Sequence, residues 1–250
     1  MHRFFLEPED QMESNRVRLL NSETVNHLVK VLRVKKDEAV EIVTENEVLR
    51  THVEAIGQGD VSLVIDEKLP HQNELPYQLD LFQCLPKGQK LELILQKNVE
   101  LGVTSFYLVH ANRCVVDYKP KDVPKKLERL SRIIKEAAKQ SKRDVIPSLN
   151  GILSIKDVEG LVAAYDCFMI LYEREDAMSL KKKLKQFAGK RLAVFIGPEG
   201  GLDLGEVERL VQSGAHSITL GKRILRTETA GLVAVANIQF ALENEGEFDE

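Results

Sequence analysis

"FIGPEGGLDLGEVERL" (195–210) and "LGKRILRTETAGLVAVANIQFAL" (220–242) decide how this chain is read. Each carries an apolar run through a glycine-containing turn into a segment with helical spacing. The first turn places Gly197, Gly200 and Gly201 where a ligand can approach bare backbone, stiffens the loop with Pro198, and adds Glu199, which would repel a phosphate. The second holds Arg226, a permanently charged planar fork of donors. Thr227 follows, able to cap the final helix, and then Glu228, placed to suit the helix dipole. A tight turn and a helix cap account for these residues as readily as a ligand site does, so the turns taken singly leave the function open.

Outward from there the pattern repeats. "CFMILY" (167–172), "RLAVFI" (191–196) and "HSITL" (216–220) predict three strands, ending at the turns "EREDA", "GPEGG" and "GKRILRTET". Open α/β sheets bind ligands beyond the carboxyl ends of their strands, so three adjacent turns predict one pocket. Upstream, "QLDLFQCL" and "VTSFYLVH" predict two more strands around a helix, "GQKLELILQKNVEL", that Gly102 stops in a left-handed conformation. Pro124 opens another helix, with Leu127, Leu130, Ile133, Ile134, Ala137 and Ala138 as its buried stripe. "SLKKKLKQFAG" (179–189) predicts a further helix. Strands alternating with helices indicate a parallel sheet covered on both faces. Neither G-x-G-x-x-G nor G-x-x-x-x-G-K-[ST] occurs, which argues against a dinucleotide-dependent dehydrogenase and a P-loop.

Residues 1–72 read differently. "RFFL", "VRLL", "AVEIVT", "VLRTHVEAI" and "VSLVIDEKL" predict short strands around one helix, capped by Ser22 and buried through Val25, Leu28, Val29 and Leu32. A small β-barrel follows, joined by the linker "LPHQNELP" (69–76) to the α/β part, with domains at 1–72 and 73–250. The 35 Lys and Arg against 39 Asp and Glu give a net charge of −4, but that balance is polarised. Eleven basic residues face four acidic ones from Arg113 to Arg143, against nine and fourteen in residues 1–72. Such a stretch is either a solvated helix face or a nucleic-acid surface. No apolar run nears the roughly 20 residues that span a bilayer, and "MHRFFLEPED" is no signal peptide, so no membrane partner and a cytoplasmic location are expected. Cys84, Cys114 and Cys167, with no CxxC pair, read as free thiols. The six histidines form no HExxH or HxH pattern, so no metal is expected.

Taken together, "HLVKVLR", "QCLPKGQKLELILQKNVELGV", "KEAAKQSKR", "IGPEGGLDLGEVERL" and "LGKRILRTETAGLVA" resemble, in order and spacing, the RsmE family of small-subunit (16S) ribosomal RNA uridine-N3 methyltransferases, in the SPOUT superfamily. Departures fall at Lys222, where proline is frequent, at Asn112, where an acid often precedes the arginine, and at Lys142, where glycine is common. The resemblance implies an N-terminal PUA-like β-barrel, a C-terminal α/β domain with a trefoil knot, homodimerisation, and S-adenosyl-L-methionine as cofactor. By position, Leu171, Tyr172 and Glu173 would close one side of the cofactor site. Ile196, Gly197, Pro198, Gly200 and Gly201 would form a second side, and Leu220, Gly221, Ile224, Leu225 and Arg226 the third. Arg226 would stabilise developing charge on the uracil, with Glu199 or Glu228 as candidate bases. Arg3, His27, Arg33, Lys87, Arg113 and Arg143 match polar or basic positions and would bind RNA, presented either as naked ribosomal RNA or as the assembled small subunit. A ribose 2′-O-methyltransferase of the same superfamily, which typically carries an "SLN"-type motif where this chain has "RTET", and a non-catalytic RNA-binding adaptor are the alternatives.

Overall fold

The computed structural model describes residues 1–243, so the last seven residues of the expected 73–250 domain lie outside the described residues. It separates into two compact units. The first comprises Met1–Glu74 and Ala138–Val145, and the second Leu75–Ala137 with the chain from Ile146 onward. Whereas the linker composition places a single division after residue 72, a downstream segment here returns to complete the first unit.

In the first unit, strands β1 (His2–Phe5), β2 (Gln11–Met12), β3 (Arg16–Leu19), β4 (Ala39–Val43), β5 (Glu47–Ile56) and β6 (Val61–Pro70) form one sheet in the order β1-β4-β5-β6-β3-β2. Only β1 and β4 run parallel. Register shifts at Arg50/Thr51 and Val53/Ala55 bend the long β5–β6 pair, and the mixed sheet curls into a PUA-like half-barrel, in line with the expected β-barrel unit. Helix α1 (Ser22–Asn26) runs into a wider π-helical turn, His27–Leu32. Its cap is Asn21, whose side chain accepts from the Thr24 N–H, and not Ser22. Val25 and Leu28 are buried in the core with Phe4, Val17, Leu19, Val40, Ile42 and Leu63, while Val29 and Leu32 pack at its margin.

The returning segment supplies ions to this unit. Asp144, fully buried, accepts from the Gln72 and Asn73 N–H groups, each at 2.7 Å, and pairs closely with the buried Arg3 guanidinium. Arg3 also reaches Glu41 at 3.3 Å. Arg143, likewise buried, donates from Nε to Glu74 at 2.9 Å. Lys142 takes φ +59°, a conformation glycine adopts more readily, which matches the glycine common at that position of the family's motif.

The second unit is an all-parallel sheet of β7 (Gln78–Cys84), β8 (Ser105–His110), β9 (Ser148–Ser154), β10 (Cys167–Leu171), β11 (Arg191–Ile196) and β12 (His216–Ile218), in the order β12-β10-β11-β7-β8-β9. Between them run α2 (Lys90–Glu100), α3 (Val123–Gln140), α4 (Ile155–Leu161), α5 (Leu180–Leu184) and α6 (Leu204–Gln212), with α7 (Thr227–Glu243) last. The inner strands are buried on both faces, which is why "LDLFQC" and "LAVFI" do not alternate. Gly102, at φ +89°, ends α2 as its position implies. Edge strand β9 and helix α4, opened by a Ser154–Asp157 capping box, have no counterpart among the sequence-predicted elements, and α5 is shorter than the predicted helix.

Candidate active site

Strands β10, β11 and β12 end side by side, and the turns leaving them enclose one cavity of about 520 Å³. Each of the thirteen residues assigned by position to a cofactor lines it. Lys90, Glu199, Leu202, Ile218, Thr219, Lys222, Arg223, Thr227 and Ala230 line it as well. Glycine is required at 201, where φ is +69° and an added Cβ would come within 2.6 Å of Glu173 Oε1. At Gly200 a Cβ would meet the Arg113 Cβ at 3.3 Å.

Three side chains brace the middle turn. Arg113 donates to the Gly200 carbonyl at 3.0 Å. Asn112 is held on α6 by Asp203 Oδ2 at 2.6 Å, while its N–H donates to the buried Glu206 at 2.7 Å. Thr227, buried, does not cap α7: the Arg226 carbonyl accepts the first helical bond, from the Ala230 N–H. Its hydroxyl instead donates to the Gly197 carbonyl at 2.8 Å and accepts from Gln83 Nε2 at 3.0 Å, tying the second turn to the third through β7. Gln83 and Lys90, both absent from the sequence-based set, carry no periodic signal that could have revealed them.

Arg226 is exposed at the cavity, and its guanidinium has no hydrogen bond or ion pair among the described residues. The two acidic candidates are both engaged by Lys90. Its ammonium lies 3.0 Å from Glu199 Oε1 and 3.2 Å from Glu228 Oε2. The second contact is an ion pair out of line for a hydrogen bond, so Glu228 Oε2 remains without a donor. Burial pushes the Glu199 carboxyl up, but Lys90, its own backbone N–H and that of Lys87 outweigh this and hold it below its ordinary value. Glu228 is lowered by its own backbone N–H and then by Lys90 and Arg226, against burial. Carboxyls so stabilised as anions are weaker proton acceptors than free ones.

The residues assigned to RNA divide. Arg33, Lys87 and Arg113 are exposed, and His27, edge-on to Phe4 at 5.5 Å, is half-buried. Arg3 and Arg143 are corrected: both are buried against carboxylates of the first unit, and a phosphate could reach them only by displacing those partners. They are structural cations.

The bent mixed sheet and the parallel α/β unit both match known domains of one class, the PUA-containing RNA methyltransferases. Residues 73–239 match the RNA methyltransferase domain, and residues 20–66 the RNA methyltransferase PUA domain. The chain belongs to the ribosomal RNA small subunit methyltransferase E family, as the motif resemblance implies. It is 33% identical, over 97% of its length and 98% of the relative's, to the Bacillus subtilis protein of that name. The crystal structure of the Neisseria gonorrhoeae ribosomal RNA small subunit methyltransferase E bound to S-adenosyl methionine is 29% identical, with a TM-score of 0.84 over 96% of this chain and 97% of that one. A Legionella pneumophila methyltransferase in complex with the same cofactor is 26% identical, with a TM-score of 0.82 over 96% and 97% of the two chains.

Proposed function

We propose that this chain methylates N3 of a uridine in small-subunit ribosomal RNA, with S-adenosyl-L-methionine as donor. The observation that carries the proposal is the single cavity lined by every residue of the three turns assigned to that cofactor. The donor set fits. Backbone groups and glycines suit adenine and ribose, the sequence carries no phosphate-binding fingerprint, and the carboxylates around the middle turn suit a cation. When bound, the cofactor supplies an electrophilic methyl group on its sulfonium.

The remaining chemistry belongs to the protein. Uracil N3 is an imide nitrogen, whose lone pair is free to attack only after its proton passes to a base, for which the carboxylates Glu199 and Glu228 at the cavity are the candidates. Arg226 cannot take that proton, since a guanidinium stays charged; with no carboxylate committed to it, it orients the uracil and stabilises charge developing on the carbonyl oxygens. Glu199 and Glu228, held as anions, set the field of the site. Holding both reactants in line contributes up to about 7–11 kcal/mol.

Arg33 and His27 on the first unit, and Lys87 and Arg113 on the second, are the proposed RNA contacts. Helix α7 is apolar nearly all round, and Ala236 and Phe240 are exposed on it, which supports a homodimer through this helix; a trefoil knot in the C-terminal segment belongs to the same proposal. No helix among the described residues is long and apolar enough to cross a membrane, in keeping with an enzyme acting on ribosomal RNA in the cytoplasm. Mass spectrometry of ribosomal RNA from a strain lacking the protein tests the reading: a methyl group should vanish from one uracil base. Loss of a ribose methyl instead would support the 2′-O alternative.

A further inference from the structure

Lys90 stands in the first turn of α2, yet its ammonium meets two acidic side chains from distant parts of the chain. Glu199 belongs to the glycine turn after β11, and Glu228 to the first turn of α7, directly after the third cavity-lining turn. A second bond fixes Glu199 from the same side, because the Lys87 N–H donates to its Oε1 at 3.0 Å. The Lys90 side chain is 31% exposed, and those of Glu199 and Glu228 are 36% and 18% exposed, so the triad is wet at one edge and sheltered at the other. Without the cation, two carboxylates drawn to one point would repel each other and push the turns apart.

We propose that Lys90 is a positioning residue for methyl transfer: by clamping Glu199 and Glu228 together it sets the spacing of the second and third turns and so preorganises the cofactor cavity. The role rests on the reading of this cavity as a S-adenosylmethionine site. Preorganisation strengthens binding by sparing the ligand the cost of ordering its site, so losing the clamp weakens cofactor binding without removing any atom the cofactor touches through backbone.

Titration calorimetry with S-adenosylmethionine on the full chain tests this with Lys90→Met, Lys90→Arg and the double variant Lys90→Met with Glu228→Gln. Lys90→Met should weaken binding about five- to tenfold, the scale of a partly sheltered ion pair. Lys90→Arg, which keeps a bridging cation, should bind within about twofold of the wild type. In the double variant, removing one of the two repelling charges should restore at least half of the loss in logarithmic terms, and a role limited to packing of the lysine stem predicts no such recovery. Unchanged affinity in Lys90→Met, or no recovery in the double variant at a wild-type melting temperature, would overturn the clamp while leaving the methyltransferase reading intact. Failure of the wild type itself to bind would overturn both.

Discussion

Replacing Thr227 by valine removes one oxygen and keeps the shape. That oxygen donates to the Gly197 carbonyl and accepts from Gln83 Nε2, so both partners lose a bond at once. Gln83 is fully buried and keeps only its bond to the Cys84 carbonyl, at 2.9 Å. Stranding a buried polar group costs about 1–3 kcal/mol. The Gly197 carbonyl belongs to a half-buried residue and recovers part of its loss from water. The extra methyl group returns about 0.8 kcal/mol by burial. The net is a destabilisation of about 2 kcal/mol, or roughly 4–8 °C in Tm for a unit of this size. Thermal melts should show that drop for Thr227→Val and almost none for Thr227→Ser, which keeps the hydroxyl. Cofactor affinity should fall alongside, because Gly197 lies in the cavity wall. Equal melting temperatures for the valine and wild-type proteins, or an equal drop for the serine variant, would refute the bridge between the turns.

Further outcomes follow from the same structure. Arg226→Ala, which breaks no hydrogen bond or ion pair among the described residues, should melt like the wild type yet lose at least about a hundredfold in single-turnover rate; a near-normal rate would make the arginine structural. Arg113→Ala should flatten the salt dependence of RNA affinity by about one counterion, whereas Arg143→Ala should cost about 1.5–3 kcal/mol in stability by removing its charged hydrogen bonds to Glu74, which keeps the Asp144 and Val145 N–H groups as donors, as a urea titration would show. Glu199 and Glu228 have folded values below their ordinary ones, so their stabilising contribution is complete above the ordinary carboxylate range and is lost only as pH falls through the lower folded values. Urea midpoints for the wild type and Lys90→Met should therefore differ at pH 7 and converge toward pH 3. The Cys114 thiol, lowered to about 7 chiefly by its hydrogen bond with Cys84, should be alkylated faster as pH rises through 7, while Cys84 and Cys167, buried and pushed up, stay unmodified by mass spectrometry.

The cavity was legible because strand ends and glycine turns announce themselves locally: apolar runs stop, and bare backbone follows. Lys90 was not, because its meaning depends on Glu199 and Glu228, more than a hundred positions away. Arg3 and Arg143 were misread for a related reason. A cation off an apolar stripe looks solvated until its carboxylate partners are known, and Asp144, Glu41 and Glu74 become partners only through folding. Strand β9 was hidden by Asn150-Gly151, a pair that signals a turn. There Gly151, at φ +81°, accompanies a register shift within an edge strand. Asn21 and Ser22 are adjacent residues that both cap well, and composition alone could not choose between them.

The segment from Ala138 to Val145 that completes the first unit has a consequence for how the protein is born. A ribosome releases Met1–Glu74 roughly 70 residues before it releases Val145. At about 5–20 residues per second, the early sheet waits some 4–14 s with Arg3 lacking Asp144 and Glu74 lacking Arg143. The amino-terminal unit therefore finishes folding only after α3 has been made, and a gene fragment ending at Glu74 encodes a sheet whose Arg3 keeps Glu41 but lacks its closer partner, Asp144.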